Sequence, residues 1–271
     1  MWEQLNTAQN MGTSKMLMLN VGDLKPIEVG ATLGLALAYE GTKSLAPTNG
    51  TVTGVSDWVR KWARRTFPTL PADKVAHVVE GYSALNARIK PELVNSTSWS
   101  LIQFDEAERV EAEWQIIVDM VNDMKTQVDE ELYPAFYQLV AYPALASANL
   151  NQLYLAVGRS NLHASQARTS ANLWTDKAHE CFARDEELSA GYHQLLDYKW
   201  DGMMSQTHVS LMLASQAAIL PSDGSQFETP CTDRISVLAA AHAKPNQPWS
   251  RLAPTRLLAR AESWTYAYHE A

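Results

Sequence analysis

The sequence predicts a mainly α-helical protein, an antiparallel helical bundle preceded by a single helix-strand unit. Three observations carry that prediction. Ala107, Val110, Trp114, Ile117, Val121, Met124 and Val128 alternate spacings of three and four without a miss, which puts one apolar stripe along a long helix. Other amphipathic stripes stand before and after this one with short connections between them, the pattern of helices that pack against their sequence neighbours. Finally, Met16-Leu17-Met18-Leu19-Asn20-Val21 is an apolar run without alternation that breaks abruptly into Gly22, Asp23 and Lys25, as in a strand covered on both faces that ends at a loop.

Residues 2 to 11 carry Trp2, Leu5, Ala8 and Met11 at helical spacing, and Gly12 is a natural stop before a strand at 15 to 21. Gly22 lets the chain turn, and Pro26 keeps the strand from continuing. A small-residue helical stretch with Gly30 and Gly34 follows, then a loop rich in Gly, Thr, Ser and Pro from 41 to 54. A domain boundary is expected there, giving domains at 1–45 and 55–220. Val55, Trp58, Val59, Trp62, Ala63 and Phe67 form one helical face, and Val75, Val79, Tyr82 and Leu85 the next. Asp105 with Glu108 resembles a capping box, so the long seam is expected to be a helix over 105 to 131. Pro134 suits the first turn of the next helix, and Pro143 either kinks that helix or begins another. A helix of small residues with Leu and Tyr is expected over 144 to 168. Trp174, Ala178, Cys181, Leu188, Tyr192 and Leu195 mark a further long one. From Pro221 the period is lost, and 221–271 is read as an irregular tail with a helix from about 254 to 268.

Composition excludes several classes of function. The chain has 271 residues, 46% of them apolar, enough to form a core. Its 22 basic against 30 acidic residues give a net charge of -8, which argues against a nucleic-acid-binding surface; the densest basic patch, Arg60 to Arg65, fits the outer face of one helix. No window approaches the ~18 apolar residues of a membrane span, and Met1-Trp2-Glu3-Gln4 lacks the basic start and apolar core of a signal peptide. Cys181 and Cys231 are too few for a disulfide framework. Asn49-Gly50-Thr51 and Asn95-Ser96-Thr97 match the glycosylation acceptor pattern in expected loops, although with many Asn residues a couple of matches arise by chance.

Asn20, Asp23 and Lys25 are the leading candidate site residues, because a strand end aims its loop toward the face where parallel-sheet proteins place their chemistry. There an amide and charged groups can hold a polar ligand through charge-assisted hydrogen bonds. The alternative is an Asp23 helix cap beside a solvated Lys25. Lys199, Trp200, Gln206 and His208 form a second polar and aromatic group, since a ring can stack on a sugar's apolar face while amides bond its hydroxyls; a structural contact is the alternative. No metal or other cofactor is expected. Met203, Met204 and His208 do not amount to a ligand set, and His179-Glu180-Cys181 lacks the second His of a metalloprotease helix. Cys181 lies on an apolar stripe, where a thiol is buried and inert. Asn149 with Asn151, and Asn161 with Asn172, are expected as buried amide links between helices.

Five segments in order carry a family resemblance: Met16 to Glu28, Arg88 to Leu93, Phe136 to Pro143, Ser147 to Tyr154, and Lys199 to His208. Together they resemble glycoside hydrolase family 115, the xylan α-1,2-glucuronidases, over roughly residues 1 to 220. The resemblance implies that residues 1 to about 40 are the last helix and strand of a (β/α)8 barrel, and that the helical bundle following the barrel makes up the rest. Most of the barrel would then be missing, and residues after 221 do not resemble the family's following β-sandwich. The family is thought to invert, using two carboxyl groups from earlier barrel strands, so no catalytic residue is assigned in this chain. Asn20, Asp23 and Lys25 would line the substrate subsite, with Lys25 suited to a uronate carboxylate, and Lys199, Trp200, Gln206 and His208 would add secondary contacts. The implied partners are glucuronoxylan or aldouronic acid oligosaccharides, without nucleic acid or membrane. Such enzymes usually act outside the cell or in a periplasm, so the missing signal agrees with a partial chain. Arg88, Lys90 and Glu92 resemble a family motif without a derivable role. The competing reading is a non-catalytic helical interaction module, its bundle serving as a homodimer contact.

Overall fold

A computed structural model describes residues 1–21, 25–41, 45 and 53–205. Of these residues 73% are helical and none is in a strand, so the mainly α-helical expectation holds. The described residues fall into two compact units, one of residues 1–90 and 116–145, the other of 91–115 and 146–205.

The first unit opens with α1 (Trp2–Asn10), which buries no residue and stops at Gly12 with φ +93°. Residues 13 to 21 then run as irregular chain in place of the expected strand. A strand needs a ladder partner for its backbone groups, and the described residues offer none. Met16 and Met18 are accordingly 76% and 81% exposed. Leu19 lies against Gly34, where an added Cβ would come within 2.8 Å of its Cδ1. A 3-10 turn, Lys25–Ile27, leads into α2 (Glu28–Glu40), whose Leu33 and Leu37 are buried, Leu37 completely. Cutting away residues 1 to 18 is therefore expected to leave the melting temperature nearly unchanged, whereas cutting at 40 removes core side chains worth about 2–5 kcal/mol each and abolishes cooperative unfolding. Equal melting of the two truncated chains would show that α2 is peripheral.

α3 (Thr53–Thr66) and α4 (Ala72–Arg88) form a hairpin through Phe67 and Leu70, both buried. Val59, Trp62 and Ala63 face Val75, Val79, Tyr82 and Leu85 across its core. Phe67 meets Trp62 and Phe136 edge to face at 5.8 and 6.0 Å, the geometry that ring quadrupoles favour. Gly81 admits Ile117, since a Cβ there would stand 2.5 Å from Ile117 Cδ1.

The seam helix, α5, runs Glu106–Lys125 and ends six residues short of its expected limit. Its seam from Ala107 to Met124 is buried as predicted. Asp129, Glu130 and Glu131 follow in succession, and three carboxylates beside the negative end of a helix dipole oppose another turn. Residues 116 to 125 of α5 belong to the first unit and the rest to the second. The next helix starts at α6 (Tyr133–Phe136), with Pro134 in its first turn as expected, passes through a π turn at Tyr137–Ala141 and continues as α7 (Tyr142–Ser165). Pro143 thus begins no separate helix: it stands in a continuous one, two residues after the π turn that distorts it. The Tyr142 N–H bonds Tyr137 O five residues back, and the extra residue in that turn accommodates the proline ring and its missing donor.

In the second unit, α7 from residue 146 packs with α8 (Ala171–His193). Asn149 Nδ2 donates to Cys181 O at 2.8 Å, the expected amide link between helices. Asn151 Oδ1 instead accepts from Trp99 Nε1 at 3.0 Å, holding the loop before α5. Asn161 and Asn172 are exposed and make no such link; Ser160 takes that place, its hydroxyl 3.1 Å from Ala171 O and 2.9 Å from Thr175 Oγ1. Residues 221 to 271 lie outside the described ones, and so does most of the loop expected between the first two domains.

Candidate functional site

Of the three leading candidates, Asn20 is exposed on the irregular segment and Asp23 lies outside the described residues. Lys25 opens the 3-10 turn, its side chain 16% exposed, and its ammonium donates to Glu28 Oε1 at 2.8 Å. It is therefore neither freely solvated nor bare. A ligand carboxylate would have to compete with Glu28 for it.

The Lys25–Ile27 turn packs against the π turn Tyr137–Ala141, and α4 packs against the same turn. Gln138 projects from it, 3% exposed, with its Nε2 lacking a hydrogen-bond partner among the described residues. Glu80 Oε1 on α4 is likewise buried without one. An unmatched buried donor and acceptor are costly in a packed interior, and π turns recur where helices are adapted to function. Beside them, Lys125 Nζ sits 5.5 Å from the Tyr137 ring centre. Burial lowers the Lys125 pKa and pushes the Tyr137 hydroxyl up to about 12. Two segments singled out in the sequence, Met16 to Glu28 and Phe136 to Pro143, thus meet within one unit.

In the second unit Lys199 Nζ lies 5.4 Å from the centre of the Trp200 ring. That ring is half-buried and already faces a cation. Gln206 and His208 lie outside the described residues. Leu196, Asp197 and Tyr198, just before, hold φ of +53°, +54° and +62°, a left-handed run that side chains adopt at a cost of about 1–2 kcal/mol per residue. His193 closes the turn: its Nε2 accepts the Met204 N–H at 3.0 Å, and its Nδ1 stands 3.7 Å from Asp201. Met204 is buried, and no group able to hold a metal ion occurs among the described residues.

The most developed polar cluster was hidden from sequence reasoning. Arg159 on α7 forks onto Glu111 at 2.6 and 2.7 Å, reaches Glu108 at 3.3 Å, and lies 4.6 Å over the Trp174 ring. Hydrogen bonding to Glu111 raises the arginine's pKa further. Its partners stand 48 and 51 residues away, and only the placement of Glu108 and Glu111 three apart on one helix could have hinted at a shared cation. Cys181 meets its expectation: it is completely buried, and burial raises the thiol's pKa. Alkylating reagent at neutral pH should leave Cys181 unmodified in the native protein and label it after denaturation. Equal labelling in both states would contradict the packing of α8.

Residues 1–93 match the family model of glycosyl hydrolase family 115. The match covers α1 to α4 and includes Asn20, Asp23 and Lys25. No curated protein matches the chain.

Proposed function

We propose that this chain is part of a glycoside hydrolase that removes (4-O-methyl)glucuronic acid side groups from glucuronoxylan and aldouronic acids, with inversion at the anomeric carbon. The observation that carries the reading is the family match over residues 1–93, which contains Lys25 paired with Glu28. Inverting hydrolysis needs a carboxylic acid to protonate the leaving oxygen and a carboxylate about 6.5–9.5 Å away to activate water. In this reading both come from barrel strands encoded ahead of residue 1, and Asn20, Asp23 and Lys25 line the subsite for the uronate, with Lys199, Trp200, Gln206 and His208 as secondary contacts. The test is kinetic: in a protein extended upstream along its own reading frame, Lys25→Met should raise KM for aldouronic acid about 10- to 100-fold, the loss of one charge-assisted hydrogen bond. An unchanged KM removes Lys25 from the subsite.

A second reading, a non-catalytic helical interaction module, is favoured by the exposed apolar side chains of Met11, Met16, Met18, Leu35 and Tyr39 in the first unit. Self-association that disappears when residues 1 to 18 are removed, in a chain whose upstream extension shows no hydrolase activity, would support it over the first.

A further inference from the structure

We propose that Asn95 accepts an N-linked glycan wherever this chain enters a secretory membrane system. The inference rests on the loop before α5 and is independent of the glycosidase reading. Asn95-Ser96-Thr97 has the acceptor pattern, with no proline at its centre. Pattern alone arises by chance; the geometry is what separates this tripeptide from a coincidence. The Asn95 Oδ1 accepts two hydrogen bonds from Thr97, one from the backbone N–H at 2.8 Å and one from the hydroxyl at 2.7 Å. This is an Asx turn closed by the tripeptide's own groups, so it is open to the nascent chain before the units pack.

The chemistry follows from that turn. Hydroxyl donation to the amide oxygen draws electron density from the amide and makes the Nδ2 hydrogens more acidic. Transfer from a polyprenyl-pyrophosphate-linked oligosaccharide forms an Nδ2–C1 bond and breaks the C1–O bond to pyrophosphate. The lipid pyrophosphate leaves with the electron pair, and one Nδ2 proton passes to base. Nothing is oxidised or reduced. Both Thr97 hydrogen bonds survive, since they use the oxygen and only one Nδ2 hydrogen is spent.

The folded loop also tolerates the product. The Nδ2 group has a long 3.3 Å contact with Leu93 O, and Leu93 and Thr97 beside it are exposed. The Asn95 N–H bonds Ser98 Oγ at 2.8 Å and the Ser98 N–H bonds Asn95 O at 3.1 Å, which fixes the backbone of the turn. Its inner side is the Ser96 carbonyl, pressed so close to Gly158 on α7 that a Cβ there would stand 2.6 Å away. A bulky, hydrated substituent on Asn95 therefore meets solvent rather than core.

The test uses the full chain behind a cleavable leader, translated with microsomes in an Asn49→Gln background so that the other acceptor tripeptide is silent. The expected product carries one endoglycosidase-sensitive mobility step, located at residue 95 by peptide mass. Asn95→Gln and Thr97→Ala should abolish the step and Thr97→Ser should keep it. None of these outcomes depends on a variant folding, because transfer occurs on the nascent chain. An Asn49→Gln product without sugar at residue 95, or a step that survives Thr97→Ala, overturns the proposal. On the secreted Asn49→Gln protein the glycan should be cleaved by endoglycosidase without denaturant, and cleavage only after unfolding would equally overturn it.

Discussion

Ile117→Asp is expected to unfold the first unit. Ile117 is 3% exposed and fills the notch left by Gly81 on α4. Burying an unpaired charge costs several kcal/mol, against a net stability for a domain of about 5–15 kcal/mol. The neighbouring Ile116 is 52% exposed, so Ile116→Asp places the same charge one residue away, in water. Thermal unfolding followed by far-ultraviolet circular dichroism should show loss or a large fall of the transition for Ile117→Asp, and a wild-type curve for Ile116→Asp. A wild-type curve for both would mean the seam is not packed.

Arg159→Met should produce the largest loss in the second unit. The substitution keeps much of the aliphatic volume but removes the fork onto Glu111, the contact to Glu108 and the cation over Trp174. Breaking a buried pair costs about 3–5 kcal/mol because the stranded charge stays desolvated. The Glu111 side chain is 34% exposed, so water screens part of that charge and about 2–3 kcal/mol is expected. Adding Glu111→Gln to Arg159→Met should recover a part of the loss, since the stranded charge is then gone. Denaturant unfolding measures both; additive losses in the double variant would show that the two side chains act independently.

The helices were legible because each rests on a local period that packing had no reason to override. Val110, Trp114, Ile117 and Val121 had to share a face whatever the neighbours were. Helix ends were less so: the acidic run at 129 to 131 shortens α5 through a dipole effect that periodicity does not register. The π turn was invisible, although Pro143 marked where the backbone needed relief. Met16 to Val21 shows the opposite failure. Apolar residues without alternation fit a covered strand, but a strand exists only through its partners, and the described residues supply none. Of the site, Lys25 could be found from its position after an apolar run. Its partner Glu28 stands only three residues on and was open to reading; the π turn it packs against was not, because a contact across more than a hundred residues leaves no spacing to read. Arg159 escaped for the same reason.

The proposed function, a glycoside hydrolase whose acid and base are supplied from outside this chain, is tested most directly by activity. The direct measurement is release of glucuronic acid from an aldouronic acid, run side by side on the purified 271-residue chain and on a protein extended upstream along its own reading frame. The expected result is no release above buffer from the first and enzyme-like turnover from the second, with the product formed in inverted configuration. Turnover near ~1 per second by the chain alone, or none by the extended protein, would contradict it.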